Sequence, residues 1–189
     1  MTLSLPFARL LRTSASILAL ATLFILARPS QAQWAAAATF SASRLNLQSY
    51  GTPVNDVWVY GPTLSIQHES GRILRFGFDA RAAFLRSGVY GVNAGDIGPR
   101  IAVRIPYLHI KPYGEFLLGF MGARSTSSGK FTGHVDAQLI GGLDVPLRSH
   151  IDLRLEYSSA GIVYLDGISL SGTGEDGRRQ ISAGLLAHF

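Results

Sequence analysis

Cysteine is absent from all 189 residues. No disulfide framework, thiol nucleophile or cysteine-type zinc site can therefore be built. Acidic residues are absent from the first 32 positions. Beyond those positions no apolar run is long enough to cross a bilayer as a helix, which takes about 20 residues. Helical periodicity is missing from every long stretch, and neither glycine-rich segment, Ser125 to Gly129 or Ser171 to Gly177, has the strand–GxxxxGK–helix context of a phosphate cradle. Clusters of Lys and Arg interleaved with stacking aromatics are also lacking, which argues against nucleic acid as a partner.

The first 32 residues have a pattern of their own. Arg9 and Arg12 give a positive start, Ala15 to Ala27 is apolar (ASILALATLFILA), and Ser30-Gln31-Ala32 puts small residues where a signal peptidase reads. This is the three-part pattern of a secretory signal. Cleavage after Ala32 is expected, leaving one domain of 157 residues, 33–189. The formal charge of +5 shrinks with it: Arg9, Arg12 and Arg28 leave and no acid does, so 14 bases face 12 acids, a balance of +2.

What remains alternates. The 21 glycines and other turn residues divide the chain into segments of period two. The third is the clearest, Ile73 to Phe84: Leu74, Phe76, Phe78, Ala80, Ala82 and Phe84 share one face, and Arg75, Gly77, Asp79, Arg81 and Ala83 the other. The others are expected at about Ala36 to Arg44, Val57 to His68, Ile97 to Ile105, Tyr113 to Ala123, Gly133 to Val145, Ile151 to Tyr157 and from Arg179 onward. Connections should alternate in length. Short turns fall around Glu69 to Arg72, Pro106 to Pro112 and Pro146 to His150. Longer loops are expected at Leu45 to Asp56, Leu85 to Asp96, Arg124 to Thr132 and Ser158 to Arg178. Eight strands of about 9–12 residues with that asymmetry fit an all-β, antiparallel up-and-down transmembrane barrel, its termini and short turns on the periplasmic side.

The chain resembles the OmpA-like family of eight-stranded outer-membrane barrels. Its most recognisable stretch is Gly141-Gly142-Leu143-Asp144-Val145-Pro146-Leu147, leading into Ile151-Asp152-Leu153-Arg154-Leu155-Glu156-Tyr157. The last strand, Ile181, Ala183, Leu185, Ala187 and Phe189 on one face, resembles the sorting signal of such barrels. The resemblance implies residence in the outer membrane and recognition of the strand ending at Phe189 by the barrel-assembly machinery. It also implies contact with outer-membrane lipid and lipopolysaccharide, as a monomer. The resemblance is to the barrel domain alone: strand eight is expected to be the last element, without the peptidoglycan-binding domain that full-length OmpA-type proteins carry.

Period two alone does not say which face points outward, and a soluble barrel of the lipocalin type has the faces reversed. In a membrane barrel the inward acids are Asp79, Glu115, Asp136, Asp144, Asp152 and Glu156, and the inward bases Arg75, Arg81, Arg100, Arg104 and Arg154. An eight-stranded barrel is only wide enough for its side chains to fill. Buried charges must pair, so a salt-bridged plug is expected. A narrow porin-like channel through the same charges is the alternative. Outside, Trp58, Tyr60, Phe84 and Tyr157 form the loop-side aromatic belt, and Tyr113 and Phe189 the turn-side one.

Chemistry has one candidate. His68-Glu69-Ser70 brings together an imidazole, an acid and a hydroxyl, the ingredients of nucleophilic catalysis. The spacing resembles the His-x-Ser pair of outer-membrane lipid A deacylases, but the Asn-bearing segment of those enzymes is missing and Ser70 reads as part of a turn. A lipid-modifying hydrolase is thus the weaker alternative. His109, His134, His150 and His188 form no ligand pair. No catalytic, cofactor-binding or metal residue and no cofactor is assigned. The expectation is a non-enzymatic barrel whose extracellular loops, including Tyr50-Gly51-Thr52-Pro53, meet any external ligand.

Overall fold

The computed structural model describes residues 33–47, 54–105, 107–126, 129, 131–164, 169–170 and 176–189. The expected signal segment 1–32, Tyr50-Gly51-Thr52-Pro53 and most of Ser171 to Gly177 lie outside them. Nine strands follow in chain order: β1 (Gln33–Leu47), β2 (Val54–Ser70), β3 (Leu74–Arg86), β4 (Tyr90–Val103), β5 (Lys111–Ser125), β6 (Phe131–Arg148), β7 (Ile151–Tyr164), β8 (Ser169–Leu170) and β9 (Asp176–His188). The two-residue β8 is an appendage of β7. The other eight are the staves of a closed antiparallel barrel: each of β1 to β7 pairs with the next, and β9 pairs with both β7 and β1.

The strands are longer than the alternation alone indicates. The largest difference is at residues 85–96, expected as a loop. There β4 already begins at Tyr90, and only residues 87–89 connect it to β3. Gly91, Asn93, Gly95 and Asp96 have weak strand preference. They are held in the sheet because β4 is paired on both sides, Gly91 to Arg86 and to Arg124. The length asymmetry of the connections is correspondingly weaker: the turn-side link 104–110 exceeds the loop-side link 87–89. Ser70, expected in a turn, is the last residue of β2 and pairs with Phe76.

Prolines sit where the ladder spares them. Pro99 is paired toward β3, while the ladder to β5 is interrupted between Ile97 and Arg100. Proline lacks the N–H that a second ladder would need.

The interior decides which face is outside. Among the largest fully buried side chains are Arg100 and Arg154, whereas Phe40 is 62% and Phe120 71% exposed, with Leu64, Ile97, Leu139 and Ile181 also outward and exposed. Polar inside and apolar outside inverts the soluble pattern and matches a lipid-facing wall. Trp58, Tyr60, Phe84, Tyr157 and Phe189 lie on that wall as expected.

Candidate functional site

Every second residue of each stave points into the lumen. On β5 that series is Lys111, Tyr113, Glu115, Leu117, Gly119 and Met121, and on β7 it is Asp152, Arg154, Glu156, Ser158, Ala160 and Ile162. Polar residues concentrate in the half nearer the turns, and there they interlock. Arg100 donates from Nε to Glu69 (2.5 Å), from Nη2 to Asp144 (2.9 Å) and from Nη1 to Glu115. Arg154 grips Asp144 with two parallel bonds of 2.8 and 3.0 Å and gives a third, of 2.7 Å, to Gln67. Such forked geometry matches a guanidinium to a carboxylate. Arg81 joins Asp79 (2.6 Å), Glu115 (2.5 Å) and Glu156 (3.3 Å). Lys111 Nζ lies 3.2 Å from Glu69 and 3.3 Å from Asp144, and Arg75 lies 3.4 Å from Glu69.

Tyr113 is the centre of this cluster. It was expected in the outer belt, and the structure corrects that: the ring is buried in the lumen, with the Arg100 guanidinium 3.4 Å above its centroid and Arg154 at 5.0 Å. Its hydroxyl donates to Glu156 at 2.7 Å. Stacking two cations on one ring holds them where neither meets water. Space for the ring is provided by Gly142 opposite, where an added Cβ would lie 2.2 Å from Tyr113 Cζ. Gly142→Ala should therefore destabilise the barrel by about 1–3 kcal/mol through overpacking, measurable as a lower urea midpoint in vesicles.

Charge balance separates the lumen into parts. In the central cluster Glu69, Asp79, Glu115, Asp144 and Glu156 face Arg75, Arg81, Arg100, Lys111 and Arg154, five against five. At the turn side Asp152 meets His188 at 2.7 Å. Farther toward the loops Asp96 and Asp136 share Arg178, at 3.9 and 3.6 Å, two against one. The two aspartates flank Gly119 in register, and Asp96 Oδ1 occupies the room a Gly119 Cβ would take.

Above these polar groups lies a lid that alternation does not reveal: Leu45, Val59, Ala83, Leu85, Val92, Ala94, Met121, Ala123 and Ile162 form one apolar cluster at the loop end of the lumen. At the turn end a vestibule of about 520 Å³ opens, lined by Arg72, Arg75, Arg104, His109, Lys111 and Asp152 among others.

One expected inward base is not in the lumen, and four charged residues that were not expected there are. Arg104 is exposed, because the chain leaves β4 at Val103 before reaching it. Glu69, Asp96, Lys111 and Arg178 are buried in the lumen and were not foreseen. Each has the parity of an inward neighbour two to four positions away, but lies beyond the strand limits the alternation gave.

His68 and Ser70 share one face of β2, but Glu69 does not join them. His68 packs on the outer wall against Trp34 (4.7 Å between rings) and Phe78 (5.8 Å). Glu69 points to the opposite side, into the lumen, where Arg100 and Lys111 engage it. An imidazole with its acid on the far side of the sheet cannot be oriented by it.

No known family model matches the chain, and no curated protein matches it in sequence. Solved structures do. Neisserial surface protein A superposes with a TM-score of 0.58 at 16% identity, over 82% of this chain and 97% of that one. Ail of Yersinia pestis, in complex with the heparin analogue sucrose octasulfate, gives 0.55 at 14% identity over 84% and 99%. The N-terminal β-barrel domain of Pseudomonas aeruginosa OprF gives 0.55 at 14% over 84% and 100%. The fold is that of the eight-stranded outer-membrane barrels. In that fold the outward apolar wall is the lipid-facing surface, and here the outward wall carries exposed Phe, Leu and Ile.

Proposed function

We propose that the protein is a monomeric, plugged outer-membrane barrel with a structural or surface-interaction role, its working surface being the extracellular rim and loops. The observation that supports a plug is the stack of Arg100 on Tyr113, tied to Glu69, Glu115 and Asp144, across the middle of the lumen. An eight-stranded lumen filled at that point, and capped by apolar side chains, leaves no wide aqueous path. Ail, with the same fold, is known bound to a heparin analogue, which is consistent with external recognition by a barrel of this size. The separation of His68 from its acid favours a non-enzymatic role. Lipid and lipopolysaccharide around the wall, and assembly-machinery recognition of β9, complete this reading.

The purified barrel in a planar bilayer should show no steady single-channel current. Reproducible conductance steps would replace this reading by the narrow channel. Unheated and boiled samples should migrate differently in gels, as a folded barrel resists detergent until heated. Solubility without detergent would remove the membrane reading altogether.

A further inference from the structure

On the outer wall one cross-strand row runs Tyr60, Arg86, Gly91, Arg124, Phe131, each paired with the next across β2 to β6. All but the half-buried glycine are exposed. The two arginines stand two strands apart, about 10 Å between backbones, and the residue between them has no side chain. Arg86 leans into that gap: its Cδ would be 3.2 Å from a Gly91 Cβ. Its Nη1 donates to the carbonyls of Leu85 (2.8 Å) and Val92 (3.1 Å) and to Asn93 Oδ1 (2.8 Å). The guanidinium is thus oriented by three neutral acceptors, and no ion pair forms on it or on Arg124 among the described residues. Another rim arginine differs. Arg44, opposite Arg179 on β1 and β9, is neutralised by Asp56.

Two exposed arginines around a glycine gap, one of them oriented and neither ion-paired among the described residues, match a phosphate, which arginine binds through parallel N–H donors. The row lies at the loop ends of β3 and β5, where rings such as Tyr60, Phe84 and Phe131 mark a headgroup interface. Immediately toward the membrane, the next positions on these staves are Pro62, Phe84, Asn93, Gly122 and Gly133, and the Phe131 ring lies over Gly122. The exposed rings of Phe84 and Phe131 there give acyl chains an apolar surface directly below the arginines. The connection 87–89 beside the row is only three residues long.

We infer that Arg86 and Arg124, around Gly91, form a seat for the phosphate of an acylated, phosphorylated glycolipid of the outer leaflet. This deepens the proposed outer-membrane role and rests on it. The seat binds a lipid that is part of the surrounding leaflet, so the barrel would be fixed in rotation and depth by a charge contact as well as by its apolar wall.

The test uses the whole folded barrel in dodecylmaltoside micelles. Its probes are lipid A with its phosphates, lipid A with the phosphates removed, phosphatidylglycerol, and the lipid A sugar bisphosphate without acyl chains. Phosphorylated lipid A should bind at least tenfold more tightly than each of the other three. The double variant R86Q/R124Q should lose that preference while keeping heat-modifiable migration, and a periplasmic control, R104Q/R148Q, should keep it. The variant G91L retains both charges and fills the gap, so it too should lose at least tenfold. Equal binding of phosphorylated and dephosphorylated lipid A, or full binding by R86Q/R124Q, would overturn the seat. Stronger binding of the sugar bisphosphate alone would reject the lipid as its ligand, and preference for phosphatidylglycerol would reject the glycolipid. Failure of heat-modifiable migration in the wild type would instead defeat the underlying membrane reading.

Discussion

Arg100→Met should destabilise the folded barrel by about 3–5 kcal/mol, the loss found when one partner of a buried ionic network is removed. Arg100 joins Glu69, Glu115 and Asp144 and covers the ring of Tyr113. Methionine has comparable length and can fill the space, so the penalty comes from the carboxylates and not from a void. Glu69 keeps Lys111 and Arg75, and Asp144 keeps Arg154, but Glu115 is left with Arg81 alone. Urea unfolding in phosphatidylcholine vesicles, followed by tryptophan fluorescence, measures the change. A loss below about 1 kcal/mol, the range of a surface pair, would show that the network is wet rather than buried.

Two aspartates of the same lumen should respond with opposite sign. Asp144 accepts from Arg100 and Arg154 and lies beside Lys111, in the part where five acids meet five bases. Asp144→Asn should lower stability by about 3 kcal/mol or more, because three cations lose their common anion. Asp136 belongs to the part where two carboxylates share Arg178. Asp136→Asn removes the surplus charge, keeps the shape and leaves Arg178 with Asp96. It should be neutral or stabilising by about 1–2 kcal/mol, since a surplus buried charge is costly. Equal losses for the two variants in the same urea assay would refute the charge division of the lumen.

Alternation located every stave, because period two is imposed by the barrel wall itself: one side lipid, the other a polar lumen. It was clearest in β3, where Phe76 and Phe78 alternate with Gly77 and Asp79. It failed at the start of β4, where Asn93, Gly95 and Asp96 read as loop and pairing on both sides overrides local preference. Most site errors follow from such boundaries. Asp96 is four residues before Arg100 and Lys111 four before Glu115, so both share an inward parity once the strands are extended. Tyr113 carried the same signal, two residues before Glu115, but an aromatic near a strand end was read as interface. Arg104 shows the reverse, correct parity on a chain that has already left the sheet. The apolar lid was not legible, because Leu45, Leu85 and Ile162 are isolated exceptions to the polar-inside rule in sequence, as Leu117 and Leu186 are elsewhere in the lumen, and their convergence needs the closed barrel. The arginine seat was equally hidden: Arg86, Gly91 and Arg124 are scattered in sequence and become neighbours only through register.

The lid has a further consequence for what the lumen equilibrates with. Apolar side chains close the loop end, and the vestibule with Arg75, Lys111 and Asp152 at its edge opens at the turn end. Among the described residues, water, protons and small ions then reach the central charged cluster most directly from the turn end. With the turns on the periplasmic side, as the proposed membrane reading has them, the central cluster around Tyr113 is an annex of the periplasm, and its side-chain exchange should follow periplasmic deuterium ahead of the medium outside the cell.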